Sequence, residues 1–470
     1  MTPKTIVLSI NFLLIVWFLF YQNKNYRASV KWLLLFLLFP IVSFLIYYFI
    51  GMGIKVDKKR YKTIEKRVDQ AILPFTASST YKCNHAEILR VLDIGEKMEA
   101  SPLTHFNDVR YYNEGEAYYS ALMKAIEKAE SSVHIEIYIL RSDDFGTRLM
   151  DLLLKKAEEG VRVKILFDPN GNLFNKKNWL KPYSHRRLKI VRQYAGLHRI
   201  RNFNYRNHRK IVVIDGKKAF IGGFNFGSEY LSQEEKTSPF RDTQTEIVGE
   251  SVLYLQRRFL IDFYYAYSFR HPVVDFDVEK ADFETEKCEK QLAVQVISTS
   301  YFVRENIKRM KLSFLSAARK EVYIQTPYLI LDPLMMEEMK LLLLAKVDLN
   351  LMIPLKYDKR IPYCATLSCA RELYELGAKV YLYEGFIHSK TMIVDDYLFS
   401  VGSSNFDVRS CSLNLETDAI LYSYNEAERY KNVFRTDILS SVEYSPFIEE
   451  KMFSSFRLGK RVYRLISALM

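Results

Sequence analysis

The chain opens with two long uncharged runs and then changes character. Nineteen uncharged residues, "TIVLSINFLLIVWFLFYQN", lie between Lys4 and Lys24, and 23 more, including "WLLLFLLFPIVSFLIYYFI", lie between Lys31 and Lys55. A bilayer core takes about 20 apolar residues as helix, so the pattern predicts two transmembrane helices over residues 1–54, joined as a hairpin. No small-residue cleavage site follows the first run and the second arrives within eight residues, which argues against a signal peptide. From about Asn113 strand and helix patterns alternate. "EAYYSALMKAIEKAE" and "GTRLMDLLLKKAEEG" have helical spacing, while "SVHIEIYIL" and "VRVKILFD" read as strands. "RENIKRMKLSFLSAARK", "EVYIQTPYLI", "PLMMEEMKLLLLAK" and "VDLNLMIPL" later repeat that order. Such alternation predicts an α/β layer architecture, here used twice. The expected organisation is a basic juxtamembrane connector over 55–107, a first α/β domain over 108–280 and a second over 281–470.

Each half leads into one copy of the same frame, "NHRKIVVIDG" from Asn207 and "IHSKTMIVDD" from Ile387. Counting from His208 and His388, both copies carry Lys at +2, Asp at +7, Gly at +14, Asn at +17 and Phe at +18. The 180-residue separation is far longer than any solenoid period, which leaves a duplicated domain. Side chains two apart on a strand share a face, so His208 and Lys210 point together, as do His388 and Lys390. Asp215 and Asp395 fall where turn chemistry begins and are expected to hold the hairpin. If the turns occupy 216–217 and 396–397, residue 208 opposes 225 and residue 388 opposes 405. Asn225 and Asn405 would then return beside the histidines.

A nitrogen nucleophile, a positive charge and an amide donor on one face suit a phosphate. The adjoining lysines would repel a metal cation, so no metal and no cofactor is expected. Two histidines meet the needs of a two-step phosphoryl displacement. One attacks phosphorus while the other protonates the leaving oxygen and later deprotonates the incoming alcohol. Asp242 in "FRDTQ" and Glu416 in "LNLETD" are candidates to orient the imidazoles.

Charge then narrows the setting. The formal net charge of +13 favours an anionic partner, nucleic acid or an acidic membrane surface. The run "KVDKKRYKTIEKR" beside the second apolar segment points to anionic headgroups, and its weight over Lys24, Arg27 and Lys31 places the large body on the cytoplasmic side. Five scattered cysteines show no C-x-x-C spacing and read as reduced thiols. The segment "FSSFRLGKRVYRLISALM" reads as an amphipathic helix packed on the second domain.

The doubled H-x-K-x4-D frame resembles that of the phospholipase D superfamily. Nearly the whole chain, with "EIYILRSDDFG", "FRDTQ", "IQTPYLI" and "IHSKTMIVDDYLFSVGSSNFDVRSCSLNLE", is similar to the bacterial cardiolipin synthases. The resemblance implies a pseudo-twofold pair of α/β/α sandwich domains. It also implies transfer of a phosphatidyl group between two phosphatidylglycerol molecules through a phosphohistidine. His208 matches the nucleophile and His388 the acid/base. Lys210, Lys390, Asn225 and Asn405 match phosphate-binding positions, and Asp242 and Glu416 match supporting acids. Asp215 and Asp395 complete the family's motif and enter the candidate catalytic set with it. The implied partners are phosphatidylglycerol and anionic membrane lipids, with no nucleic acid, at a multi-pass cell-membrane location. Where many relatives open the second domain with a Gly-Pro turn, this chain has "VISTSYFVREN". A membrane-tethered hydrolase of lipid or DNA would use the same intermediate, and a non-catalytic scaffold would show degenerate motifs. Both motifs here are intact.

Overall fold

The computed structural model describes residues 2–21, 26–51, 56–72, 86–98, 101–194, 202, 204–232, 237–271, 283 and 288–448. The expected C-terminal amphipathic helix and Cys83 lie outside these residues. The chain divides into two compact units, Met1–Asp57 with Tyr194–Arg206, and Lys58–Gln193 with Asn207–Met470.

In the first unit the apolar runs form α1 (Pro3–Tyr21), α2 (Tyr26–Leu38) and α3 (Val42–Ile46), followed by one π-turn over Tyr47–Gly51. α1, α2 and the π-turn pack together through Phe18, Phe36 and Tyr47, and the Asn11 amide donates to the Phe36 carbonyl at 3.1 Å. Two uninterrupted spanning helices are not what forms. Pro40 cannot donate a helical N–H, and Ile41 beside it adopts φ 67°, so the second apolar run breaks after Leu38. Lys4 and Thr5 take up the first turn of α1. Among the described residues no helix is at once long and apolar enough to cross a membrane.

The second unit begins with α4 (Lys58–Ala71) and α5 (Ala86–Glu96). Its first half continues through β1 (Leu103–Tyr112), α6 (Gly115–Glu127), β2 (Ser132–Ile137), α7 (Asp144–Glu158), β3 (Arg162–Phe167), β4 (Leu188–Arg192), β5 (Ile211–Ile214), β6 (Lys218–Gly222), β7 (Phe240–Arg241), β8 (Gln244–Gly249) and α8 (Val252–Tyr267). The second half follows the same plan. It runs through β9 (Gln291–Ser298), α9 (Asn306–Ala317), β10 (Glu321–Gln325), β11 (Leu329–Ile330), α10 (Pro333–Leu344), β12 (Asp348–Pro354), α11 (Arg360–Tyr374) and β13 (Lys379–Tyr383). It ends with β14 (Phe386–Ile387), β15 (Thr391–Val394), β16 (Leu398–Gly402), β17 (Phe406–Asp407), α12 (Val408–Ser412), β18 (Thr417–Tyr422), α13 (Tyr424–Leu439) and β19 (Ser441–Glu443). The predicted helices and strands of both series therefore appear where the periodicity puts them.

One sheet joins the halves. Strand order in the first is β1-β8-β6-β5-β2-β3-β4 and in the second β9-β18-β16-β15-β10-β12-β13-β19, with β1 and β9 paired antiparallel at the centre. The two orders match strand for strand about that seam, apart from the added edge strand β19. Helices cover both faces, because the central strands are apolar on both sides: β5 and β15 are buried along their whole length. The basic connector is a docked helix. α4 buries Tyr61, Ile64 and Val68, and Arg257 of α8 reaches Asp69 at 2.6 Å. Lys58, Lys59, Lys62, Lys66 and Arg67 remain on its exposed face.

Candidate active site

The two frames form matching hairpins, β5–β6 and β15–β16. Pairing runs Ile214 to Lys218 and Ile211 to Ile221 in the first, and Val394 to Leu398 and Thr391 to Val401 in the second. The register therefore differs by one residue from the expectation that 208 opposes 225. The reason lies in the turn. Asp215 and Asp395 leave the strand with φ 53° and 49°, so each loop holds three residues rather than two. Asp tolerates this left-handed conformation better than most side chains.

Asp215 and Asp395 sit at the far end of their hairpins from the histidines. The Asp215 carboxylate accepts the backbone N–H groups of Glu130, Ser131 and Ser132 at 3.0, 2.7 and 2.8 Å. Asp395 accepts those of Arg319, Lys320 and Glu321 at 2.9, 2.8 and 3.0 Å. Each aspartate thus ties the hairpin turn to the start of the neighbouring strand, β2 or β10. Burial would raise the Asp215 carboxyl, but these N–H groups hold it below the usual carboxylate value.

The histidines come together across the two halves. His208 and His388 lie in the extended segments just before β5 and β15, and short parallel pairings secure them there. Asn207 bridges Leu415, and β14 pairs with β7. The His208 N–H donates to the Leu415 carbonyl at 2.9 Å, and the His388 N–H to the Arg241 carbonyl at 2.6 Å. The residue after each of those carbonyls is the acid that holds the ring. His208 Nδ1 lies 3.1 Å from Glu416, and His388 Nδ1 lies 2.5 Å from Asp242. Each imidazole is therefore oriented by a carboxylate from the opposite half. Both carboxylates are fully buried, whereas each histidine side chain keeps 12% of its surface exposed. With Nδ1 engaged, Nε2 is the ring nitrogen left for a substrate.

Lys210 and Lys390 are buried beside them, and the Lys210 ammonium donates to the His208 carbonyl at 2.6 Å. Lys390 donates to the His388 carbonyl in the same way. Burial, then Lys390, push the His388 pKa down to about 4. Burial and Lys210 also lower His208, against the opposing pull of Glu416. Burial lowers Lys390 to about 8. It would raise Glu416, yet His208, Lys210 and the Ser403 hydroxyl hold that carboxyl at about 2. Each imidazole thus lies between a buried lysine and a carboxylate, with burial biasing both rings toward the neutral form.

Asn225 and Asn405 are buried but engaged elsewhere. Asn225 accepts the Ile139 N–H at 3.1 Å and donates to the Tyr230 hydroxyl at 3.0 Å. Asn405 donates to Asp407 at 3.0 Å, while its carbonyl oxygen Oδ1 is buried without a hydrogen bond.

Several participants carry no motif signal. Tyr138 stands edge-on to His208 with ring centroids 4.9 Å apart, and Phe240 and Phe386 flank His388 at 5.6 and 5.8 Å. Ser403 and Ser410 donate to Glu416 at 2.6 and 2.8 Å. At the position matching Ser403, Gly223 leaves room for Asp242: a Cβ there would lie 2.0 Å from the carboxylate. Arg209, between His208 and Lys210, points the other way. It donates to Thr417, the residue after Glu416, at 2.9 Å and to Asp262 at 2.5 Å. Ser389 likewise meets Thr243, the residue after Asp242. The signal for these contacts was the residue beside each motif position, whose partner only the folded sheet brings near.

Among the described residues no group of three or more His, Cys, Asp or Glu is placed to hold a metal ion. The family model described as "Cardiolipin synthase, PLD-like domain" matches residues 122–248 and 312–438, once in each half. The cardiolipin synthase of Listeria welshimeri is 33% identical over 470 residues, 96% of this chain and 95% of that one. That of Oceanobacillus iheyensis is 32% identical over 477 residues, 98% of this chain and 97% of that one. The crystal structure of phosphatidylserine synthase from Haemophilus influenzae shares the fold, with a TM-score of 0.59 and 13% identity over 81% of this chain and 100% of that chain. Family model, full-length relatives and doubled fold agree: this chain belongs to the cardiolipin synthase family of phospholipase D-like phosphatidyltransferases.

Proposed function

We propose that the chain transfers a phosphatidyl group from one phosphatidylglycerol to a second, giving cardiolipin and glycerol. The observation that carries this reading is the exchange of carboxylates between halves, which makes two histidine frames into one site. His208 Nε2 attacks phosphorus, the bond from phosphorus to the glycerol headgroup oxygen breaks, and His388 protonates that oxygen. His388 then takes the proton from a headgroup hydroxyl of the second phosphatidylglycerol. That oxygen attacks phosphorus and the bond to His208 breaks. The order of the two roles follows the motif match. Burial biases both imidazoles toward the neutral form, and a bound phosphodiester anion raises their pKa values, so the acid is charged when it is needed. Lys210 and Lys390 carry the charge that develops on phosphorus, with Asn225 and Asn405 as neutral neighbours. The boundary expected at 108 falls inside β1 (Leu103–Tyr112), and dividing the chain ahead of that strand and at 280/281 leaves one histidine, one lysine and one supporting acid in each half.

The apolar N-terminal unit supports attachment to the cell membrane, with the catalytic halves on the cytoplasmic side. Phe12, Leu13 and Phe20 of α1 and Leu37 and Leu38 of α2 are exposed in a way that water does not favour. Alkaline carbonate should leave the full chain in the membrane pellet; release into the supernatant would remove this attachment.

Purified enzyme with phosphatidylglycerol tests the reaction. Cardiolipin and free glycerol in equal amounts, unchanged by EDTA, are expected. Phosphatidic acid as the main product would replace transfer with hydrolysis, and loss of turnover in EDTA would reject the mechanism.

A further inference from the structure

The pseudo-twofold plan breaks at one place. In the second half α11 fills the connection between β12 and β13. In the first half the matching connection, residues 168–187 between β3 and β4, contains no helix. Irregular connections of that length are uncommon in compact domains and usually serve binding. This one is firmly held on its inner side. The Asn172 amide donates to the Tyr138 carbonyl at 2.9 Å and accepts the Leu140 N–H at 2.8 Å. Asn175 donates to the Leu140 carbonyl at 2.7 Å, and Tyr183 donates to Asp151 at 2.9 Å. Trp179 and Leu180 pack against the first core.

Its outer side combines exposed apolar tips with cations. Phe174 is 91% exposed and Leu173 51%, next to exposed Lys176, Lys177 and Lys181. From Pro169 to Ile214 the sequence contains no acidic residue. Apolar tips ringed by cations match an interface between acyl chains and anionic headgroups. A nucleic-acid backbone would use the cations but offers no place for a projecting Phe–Leu pair. The loop is one residue removed from the site. Asp168, where it begins, accepts the N–H of Asn207 at 2.7 Å, and Tyr138, which holds Asn172, stands against His208.

We infer that residues 168–187 form a membrane-docking loop. Its occupant is the surface of an anionic phospholipid bilayer, with Leu173 and Phe174 among the acyl chains and the lysines on headgroup phosphates. Docking there sets the histidine pair at the bilayer, where lipid reaches it without full transfer through water. The inference rests on a phospholipid being the substrate.

The test compares wild type, Phe174→Ser and the double variant Lys176→Glu/Lys177→Glu, each as full chain in phosphatidylcholine vesicles. Long-chain phosphatidylglycerol is supplied within the bilayer, or short-chain phosphatidylglycerol is added from solution below its micelle concentration. Consumption of the lipid, whatever the product, is the readout. Both variants should slow on bilayer substrate by about tenfold, the scale of losing one buried aromatic side chain, and match wild type on soluble substrate. Equal loss on both substrates, no loss on either, or a changed oligomeric state of Phe174→Ser in detergent would overturn the inference. Wild type that consumes neither lipid would instead reject the phospholipid reading itself.

Discussion

His208 and His388 make the same contacts with different acids, and their titration sets the pH response. The imidazoles are held below the ordinary histidine value, His388 at about 4, and Lys390 is held at about 8. Acidification protonates the nucleophile, and alkalinity removes the positive charge beside the phosphate. The profile of kcat/KM, which reports the free enzyme, should therefore fall below an acid limb under pH 6.5 and above an alkaline limb near pH 8. Lys390→Arg should move the alkaline limb upward, because guanidinium keeps its proton; an unmoved limb would assign it elsewhere. The same shifts govern stability. A histidine whose folded pKa is depressed contributes stability that is present above its unfolded value and lost as pH falls through the folded one. Urea midpoints should accordingly drop between pH 6.5 and 4. From their hydrogen bonds at the hairpin turns we infer a structural role for Asp215 and Asp395. Asp395→Ala leaves three backbone N–H groups without their acceptor, which should cost about 2–3 kcal/mol in urea unfolding, with kcat per folded molecule unchanged.

At the scale of elements, much of the site was legible in advance, and its failures have local causes. The offsets from His208 and His388 located both lysines, because a two-residue step on extended backbone fixes a shared face. The hairpin register was misread by one position, since a left-handed Asp adds a loop residue that no apolar pattern reports. The apolar run from Trp32 was read as one span, while Pro40 divides it into α2 and α3. The exchange of acids between halves could not be read from spacing at all. It depends on the parallel pairing of β7 with β14 and of Asn207 with Leu415. If Glu416 orients His208 as the geometry indicates, Glu416→Gln should keep the fold and lower kcat by about a hundredfold or more. Wild-type turnover in that variant would reduce Glu416 to a packing residue. Buried ion pairs lie behind the site. Arg258 binds Asp262, which binds Arg209, and also donates to Tyr61 of α4 at 3.1 Å. Arg258→Ala would leave Asp262 short of a cation and should destabilise the second unit by about 3–5 kcal/mol, read by thermal or urea unfolding.

Across the whole molecule, the duplication explains why one chain holds the histidine frame twice. Two α/β halves meet through β1 and β9, and that seam turns the frames toward each other. Repetition of helix and strand order was visible in the sequence. That the halves share one continuous sheet was not, because edge pairing between domains leaves no periodic trace. In the proposed mechanism the two histidines divide one reaction, with His208 carrying the phosphatidyl group and His388 moving protons. Intact-protein mass spectrometry after brief mixing with phosphatidylglycerol tests it most directly. His388→Ala should carry one phosphatidyl group, mapped to His208, and His208→Ala should carry none. An adduct on His388 in the His208→Ala protein, with none on His208 in the other variant, would reverse the two roles.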